Sequence, residues 1–181
     1  MFASWSIKGE NKQKNIALFG LIILILANLA QLNGWYVADI DTKNMLSFTR
    51  FGLYTNTLFY CLTFIYIWIN GEEISKIGNH VADFYALFFF ILCGASILTS
   101  FANLLMLFIG IEILSIPLYI LTGSDKKSLF SNEAAIKYFL MGSFSTGVLL
   151  LGITFIYGAT GSFKLIPPDA SIQYEQFMFS G

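Results

Sequence analysis

The chain has 181 residues, 56% apolar and only 12% charged, with 19 Phe and a formal net charge of −1, where a soluble globular domain carries roughly 45–50% apolar and about 25% charged residues. So few charges cannot cover a water-soluble surface, disorder would need low hydrophobicity and high net charge, and there is no basic field to attract nucleic acid. Cys61, Cys93 and His80 are too few for a disulfide framework or a zinc cluster, which leaves a polytopic membrane protein.

A helix rising 1.5 Å per residue needs about 20 mainly apolar residues to cross roughly 30 Å of hydrocarbon. Lipid offers backbone amides no partner, so each crossing must be helical and the fold all-α. Residues 1–14 form an N-terminal segment carrying Lys8, Lys12 and Lys14. The first predicted span covers residues 15–34. It is longer than the 7–15 residues of a signal-peptide core, and no small-x-small cleavage pattern follows. The second span is predicted at 51–70. The third and fourth, at 84–101 and 103–122, come from one unbroken apolar run, which the polar cluster Thr99, Ser100 and Asn103 divides. The fifth covers 134–159, where Gly142, Ser143, Gly147 and Gly152 permit close helix approach. Residues 160–181 form a tail.

Trp35, Tyr36, Tyr66, Trp68 and Tyr157 fall near the predicted interfaces. Asn28, Gln31 and Asn56 lie near helix ends or bridge helices, and His80 reads as a solvated loop residue. Lys8, Lys12, Lys14, Lys76, Lys126 and Lys127 fall on one side, against Lys43, Arg50 and Lys164 on the other. This excess puts the N-terminus in the cytoplasm and the tail outside it.

Nearly every charge belongs to a loop, a tail or a helix end; Glu112 and Lys137 do not. Glu112 falls near the middle of the fourth span, where a charged group costs roughly 2.5–3.5 kcal/mol. A carboxyl escapes that cost by taking up a proton, which is the chemistry of a proton relay. The structural alternative is a neutral acid hydrogen-bonded between helices. Pro117 follows in GIEILSIPLYIL. Lacking an N–H, it leaves the Ile113 carbonyl without its usual donor and favours a kink, and Ser115 is placed to fill part of that gap. Lys137 lies about five residues into the fifth span, where it either serves proton transfer or snorkels to the interface. Counting rise from the helix ends puts an axial gap of about 7 Å between Glu112 and Lys137, too long for direct contact unless the lysine stem reaches inward. The sequence holds no phosphate-cradling glycine loop, nucleophile elbow or metal-ligand spacing.

GIEILSIPLYIL, followed by SDKKSLFSNEAAIKYFLMGSFSTGVLLLGITFIYGATGS, closely resembles the subunit N family of bacterial NADH-quinone oxidoreductase, respiratory complex I, among the antiporter-like membrane proteins. The resemblance is strongest over residues 83–163 and weaker over the earlier spans. It implies a multi-pass subunit of the membrane arm in the bacterial cell membrane, one that helps couple quinone reduction to proton translocation. Other membrane-arm subunits and the lipid bilayer are the implied partners. NADH, FMN, iron–sulfur clusters and quinone would bind other subunits, so neither cofactor nor metal is expected in this chain. Glu112 and Lys137 match the family's charged residues on its fifth and sixth helices. A whole subunit N has about fourteen helices, and the five here match the second to sixth, so the resemblance also implies a fragment or truncated product of a larger bundle. The lysine that pairs with the glutamate in that family then lies outside the chain. The related cation/proton antiporters and membrane-bound hydrogenases share this helix set, and a truncated scaffold that moves no ions is the non-catalytic alternative.

Overall fold

A computed structural model describes residues 10–35, 45–75 and 81–165. Lys8, Tyr36, Lys43, Lys76 and His80, with the outermost parts of the N-terminal segment and tail, lie outside the described residues. The described chain forms α1 (Glu10–Leu32), α2 (Arg50–Ser75), α3 (Val81–Ser100), α4 (Leu104–Thr122) and α5 (Leu129–Thr160). All five are long and apolar enough to cross a membrane.

The helices overrun the predicted spans at their polar ends. α1 begins at Glu10, α2 continues to Ser75, and α5 starts at Leu129 rather than near residue 134. Hydropathy marks where hydrocarbon begins, whereas the hydrogen-bond ladder continues until a cap stops it. For α5 the cap is Ser128, whose Oγ accepts from Ser131 N at 3.3 Å, and the helix ends on Gly161 in the left-handed region with φ 67°.

The long apolar run between α3 and α4 turns at Phe101–Asn103. Asn103 caps α4 by accepting a bond from Met106 N at 2.8 Å. The turn is held on both sides by backbone. Ser47 N donates to Ser100 O at 2.7 Å and Ala102 N to Met45 O at 3.0 Å, while Leu104 N donates to Phe163 O at 2.9 Å. The approach to α2, the α3–α4 turn and the exit of α5 therefore meet at one end of the bundle, the end an up-and-down path assigns to all three.

α1, α2 and α3 converge on a core that includes Ala17, Leu21, Ile67, Ile74 and Leu92, with Leu21 and Ile67 fully buried. Polar bonds cross the same three helices. Asn28 Nδ2 donates to Leu53 O and to Thr57 Oγ1, both at 3.0 Å. Thr99 Oγ1 donates to Asn56 Oδ1 at 2.8 Å, and the Tyr60 and Ser96 hydroxyls bond each other at 2.7 Å. Asn28 and Asn56 are buried, so unpaired amides there would carry the full cost of leaving water. Of the bridging positions weighed from sequence, Asn28 and Asn56 do bridge helices.

α4 docks antiparallel on α3 through two glycines. A Cβ on Gly94 would meet Leu114 N at 2.6 Å, and one on Gly110 would meet the Leu98 side chain at 2.9 Å. Backbone cannot step aside as a flexible side chain can, so Gly94 is the stricter position. Gly94→Val is expected to destabilise the bundle by about 1–3 kcal/mol, read as a lower unfolding midpoint in detergent. Asn28→Leu removes two interhelical bonds and is expected to cost about 0.6–1.7 kcal/mol in the same measurement.

Candidate functional site

The constellation is built on α4, whose three faces have different neighbours. Gly110 and Leu114 meet α3. Ile109, Ile116 and Ile120 are exposed on a second face. Glu112, Ser115, Tyr119 and Thr122, at spacings of three, four and three residues, share the third. This third face is turned to α5. Tyr119 packs edge-on against Tyr138, with ring centroids 4.9 Å apart, and against Phe139 at 5.8 Å. Thr122 O accepts a bond from Ser131 Oγ at 2.7 Å.

Glu112 is half-buried and has no hydrogen-bond or ion-pair partner among the described residues. An unpaired carboxyl group is a costly occupant of hydrocarbon. Pro117 is buried, and α4 runs through it without interruption from Leu104 to Thr122. Ser115 Oγ donates to Ile111 O at 2.7 Å. Its hydroxyl thus back-bonds to the preceding turn and does not fill the gap Pro117 leaves at the Ile113 carbonyl, as the sequence had suggested.

Lys137 is placed differently from its sequence-based position. Its Nζ donates to Glu133 Oε1 one turn earlier on α5, and the two side chains are 73% and 58% exposed. The close approach of Gly123 to Ala135 sets the α4–α5 register and brings Lys137 level with Leu121. Nine residues of rise then separate it from Glu112, about 14 Å rather than about 7 Å. The difference arises because the first turns of α5 overhang the end of α4. Lys137 also projects from the face of α5 opposite Ala135 and Gly142, so the structure does not bring it together with Glu112.

Two features escaped sequence reasoning. One is the identity of the partners that Asn28 and Asn56 reach, and the Tyr60–Ser96 hydroxyl pair. The other is the seat that α5 makes for Tyr119, where a Cβ on Gly142 would overlap the phenol oxygen and lie 2.7 Å from Cζ. The polar 3–4–3 spacing along α4 was the available signal for the second.

Five apolar helices, with a carboxyl unpaired among the described residues halfway along the fourth, define a polytopic α-helical membrane protein with an ionisable mid-span residue. Residues 101–178 match the family described as NADH:quinone oxidoreductase/Mrp antiporter, TM. This segment of the chain belongs to that antiporter-like transmembrane family. It is similar to NADH-quinone oxidoreductase subunit N of Cytophaga hutchinsonii, 48% identical over 129 residues, covering 71% of this chain and 27% of that one. The subunit N of Flavobacterium psychrophilum is 41% identical over 152 residues, covering 83% of this chain and 32% of the relative. That of Magnetococcus marinus is 31% identical over 182 residues, covering 96% and 36%. The chain thus spans about a quarter to a third of the length of these curated relatives.

The exposure of the Lys137–Glu133 pair limits what it adds to stability. A double-mutant cycle with Lys137→Met and Glu133→Gln is expected to give a coupling below about 0.5 kcal/mol. A value of several kcal/mol would mean that the pair is shielded from water in the assembled protein.

Proposed function

We propose that this chain acts in the membrane arm of a proton-translocating NADH-quinone oxidoreductase, where it helps couple quinone reduction to proton transfer across a bacterial cell membrane. The observation that carries the reading is the half-buried Glu112, unpartnered among the described residues, on a helix whose sequence falls within the antiporter-like family match. The relatives named above are subunits of that enzyme. Other membrane-arm subunits and the bilayer are the partners in this reading. NADH, FMN, iron–sulfur clusters and quinone bind elsewhere in the complex, and this chain contributes no redox centre or metal.

Glu112 takes up and releases the proton, while Lys137, held by Glu133 in the first turns of α5 and turned away from the seam, acts at the aqueous end of the path. The freed Ile113 carbonyl beside Pro117 gives water an acceptor close to Glu112. The N-terminus and the α4–α5 connection face the cytoplasm, a placement supported by Lys12, Lys14, Lys126 and Lys127 at that end of the bundle against Arg50 and Lys164 at the other. The family description also covers Mrp antiporters, which favours a cation/proton antiporter subunit as the second reading. Genes for the redox subunits beside this one support the first; antiporter genes alone support the second.

Glu112→Gln keeps the shape and removes the exchangeable proton. In inverted membrane vesicles, with the gene otherwise intact, NADH-driven proton uptake per assembled subunit is expected to fall by at least about tenfold. Normal uptake with normal assembly overturns the role given to Glu112.

A further inference from the structure

The proton reading of Glu112 leaves open how a proton travels between that carboxyl and the end of the bundle where α4 joins α5. The third face of α4 offers one group capable of the step. Tyr119 lies seven residues after Glu112 on the same face, about 10 Å along the axis. A tyrosine on a helix leans toward the helix N-terminus, so its phenol points back along the seam toward the turn of Glu112.

Three observations distinguish Tyr119 from an ordinary packing aromatic. Its hydroxyl has no hydrogen-bond partner among the described residues. Its ring is held by edge-on contacts with Tyr138 and Phe139. The phenol end rests on Gly142, the one residue type that leaves room for it there. A phenylalanine would satisfy the ring contacts equally well, so packing alone gives no reason for a hydroxyl at this depth. The seam beyond Tyr119 carries one polar side chain on its α5 side. The α5 face turned to α4 continues from Gly142 through Thr146 and Leu149 to the buried Ile153, and the register set by Gly123 and Ala135 brings Thr146 level with Glu112. A carboxyl, a serine and a threonine thus lie along the seam toward which the phenol leans, the two hydroxyls bonded to carbonyls of their own helices.

We propose that Tyr119, seated on Gly142, relays protons between Glu112 and the α4–α5 connection through water in the seam. The proposal rests on the proton-transfer reading of Glu112. In the relay, a water on the connection side gives up a proton, breaking its own O–H bond as a new one forms at the phenol oxygen, and is reprotonated from the aqueous end, while the original phenol O–H bond breaks and its proton passes through water to the Glu112 carboxylate. One O–H bond forms and one breaks at the phenol, so Tyr119 ends each transfer neutral and needs no co-reactant. Reorientation of the hydroxyl resets it.

The test uses the gene in its native context and inverted membrane vesicles, with NADH-driven proton uptake measured per assembled subunit across pH and in H2O against D2O. Tyr119→Phe keeps the ring on Gly142 and removes only the hydroxyl. Uptake is expected to fall by roughly tenfold, less than the roughly 10²–10⁴-fold worth of a direct acid–base group because water fills in for the phenol. A changed pH profile and a larger solvent isotope effect should accompany the fall. Gly142→Ala, which displaces the phenol, should reproduce both signatures. Wild-type uptake in Tyr119→Phe overturns the relay, as does a slowing that is uniform across pH with an unchanged isotope effect, which marks a structural role. Glu112→Gln run in parallel separates the two claims. If it is defective and Tyr119→Phe is silent, only the relay fails; if Glu112→Gln is itself silent, the reading beneath it fails as well.

Discussion

Hydrocarbon supplies neither hydrogen-bond donors nor acceptors, and most of what this chain does with its polar groups follows from that. Backbone amides are satisfied within the helices, so the connections between them carry the polar burden. At one end of the bundle they meet it by pairing with each other, the α3–α4 turn lying between the approach to α2 and the exit of α5. Within the helices the buried asparagines reach across to Leu53, Thr57 and Thr99, so that a liability in lipid becomes a link between neighbours. Hydroxyls on exposed faces turn inward instead, as when Thr55, Thr63 and Thr154 donate to carbonyls of their own helix.

Against that background Glu112 stands apart. The other polar side chains deep in the spans are mostly accounted for by a bond to a neighbouring helix or to their own backbone, whereas this carboxyl has neither among the described residues. Packing forces also act differently on the two sides of its helix. Toward α3, Gly94 and Gly110 allow close contact with Leu114 and with the Leu98 side chain. Toward α5, contact is made by aromatic rings and a single hydroxyl-to-carbonyl bond, and this is the side on which Glu112 lies.

Hydropathy was enough to read the five helices, because a length of apolar residues matched to bilayer thickness is a strong and nearly context-free signal. The ends of those helices were not readable in the same way. Ser128 starts α5 ahead of its apolar run, and that overhang changed the depth assigned to Lys137. Ser115 shows a second limit: the sequence offers the hydroxyl two nearby carbonyls, and only coordinates decide that it bonds Ile111. The Asn28 and Asn56 bridges were visible as possibilities, but their partners lie 25 to 43 residues away, beyond what local pattern encodes. Glu112 itself was readable because a charge at mid-span is rare and expensive wherever the neighbouring helices lie.

The pairing of Lys137 with Glu133 bears on how charge is arranged around the seam. In the first turns of α5 two opposite charges one turn apart neutralise each other, and both are exposed. Within the described chain, then, no fixed positive charge reaches Glu112 to hold it as an anion. For a carboxyl without such a partner, the hydrogen bonds that local water can make to it matter most. In the proposed role, a group that orders that water governs the transfer. On this helix face such a group must be polar, must sit between Glu112 and the aqueous end, and must tolerate burial when its bond is broken. A phenol meets those conditions better than a lysine, which must carry its charge with it, and Tyr119 is the phenol this fold places there.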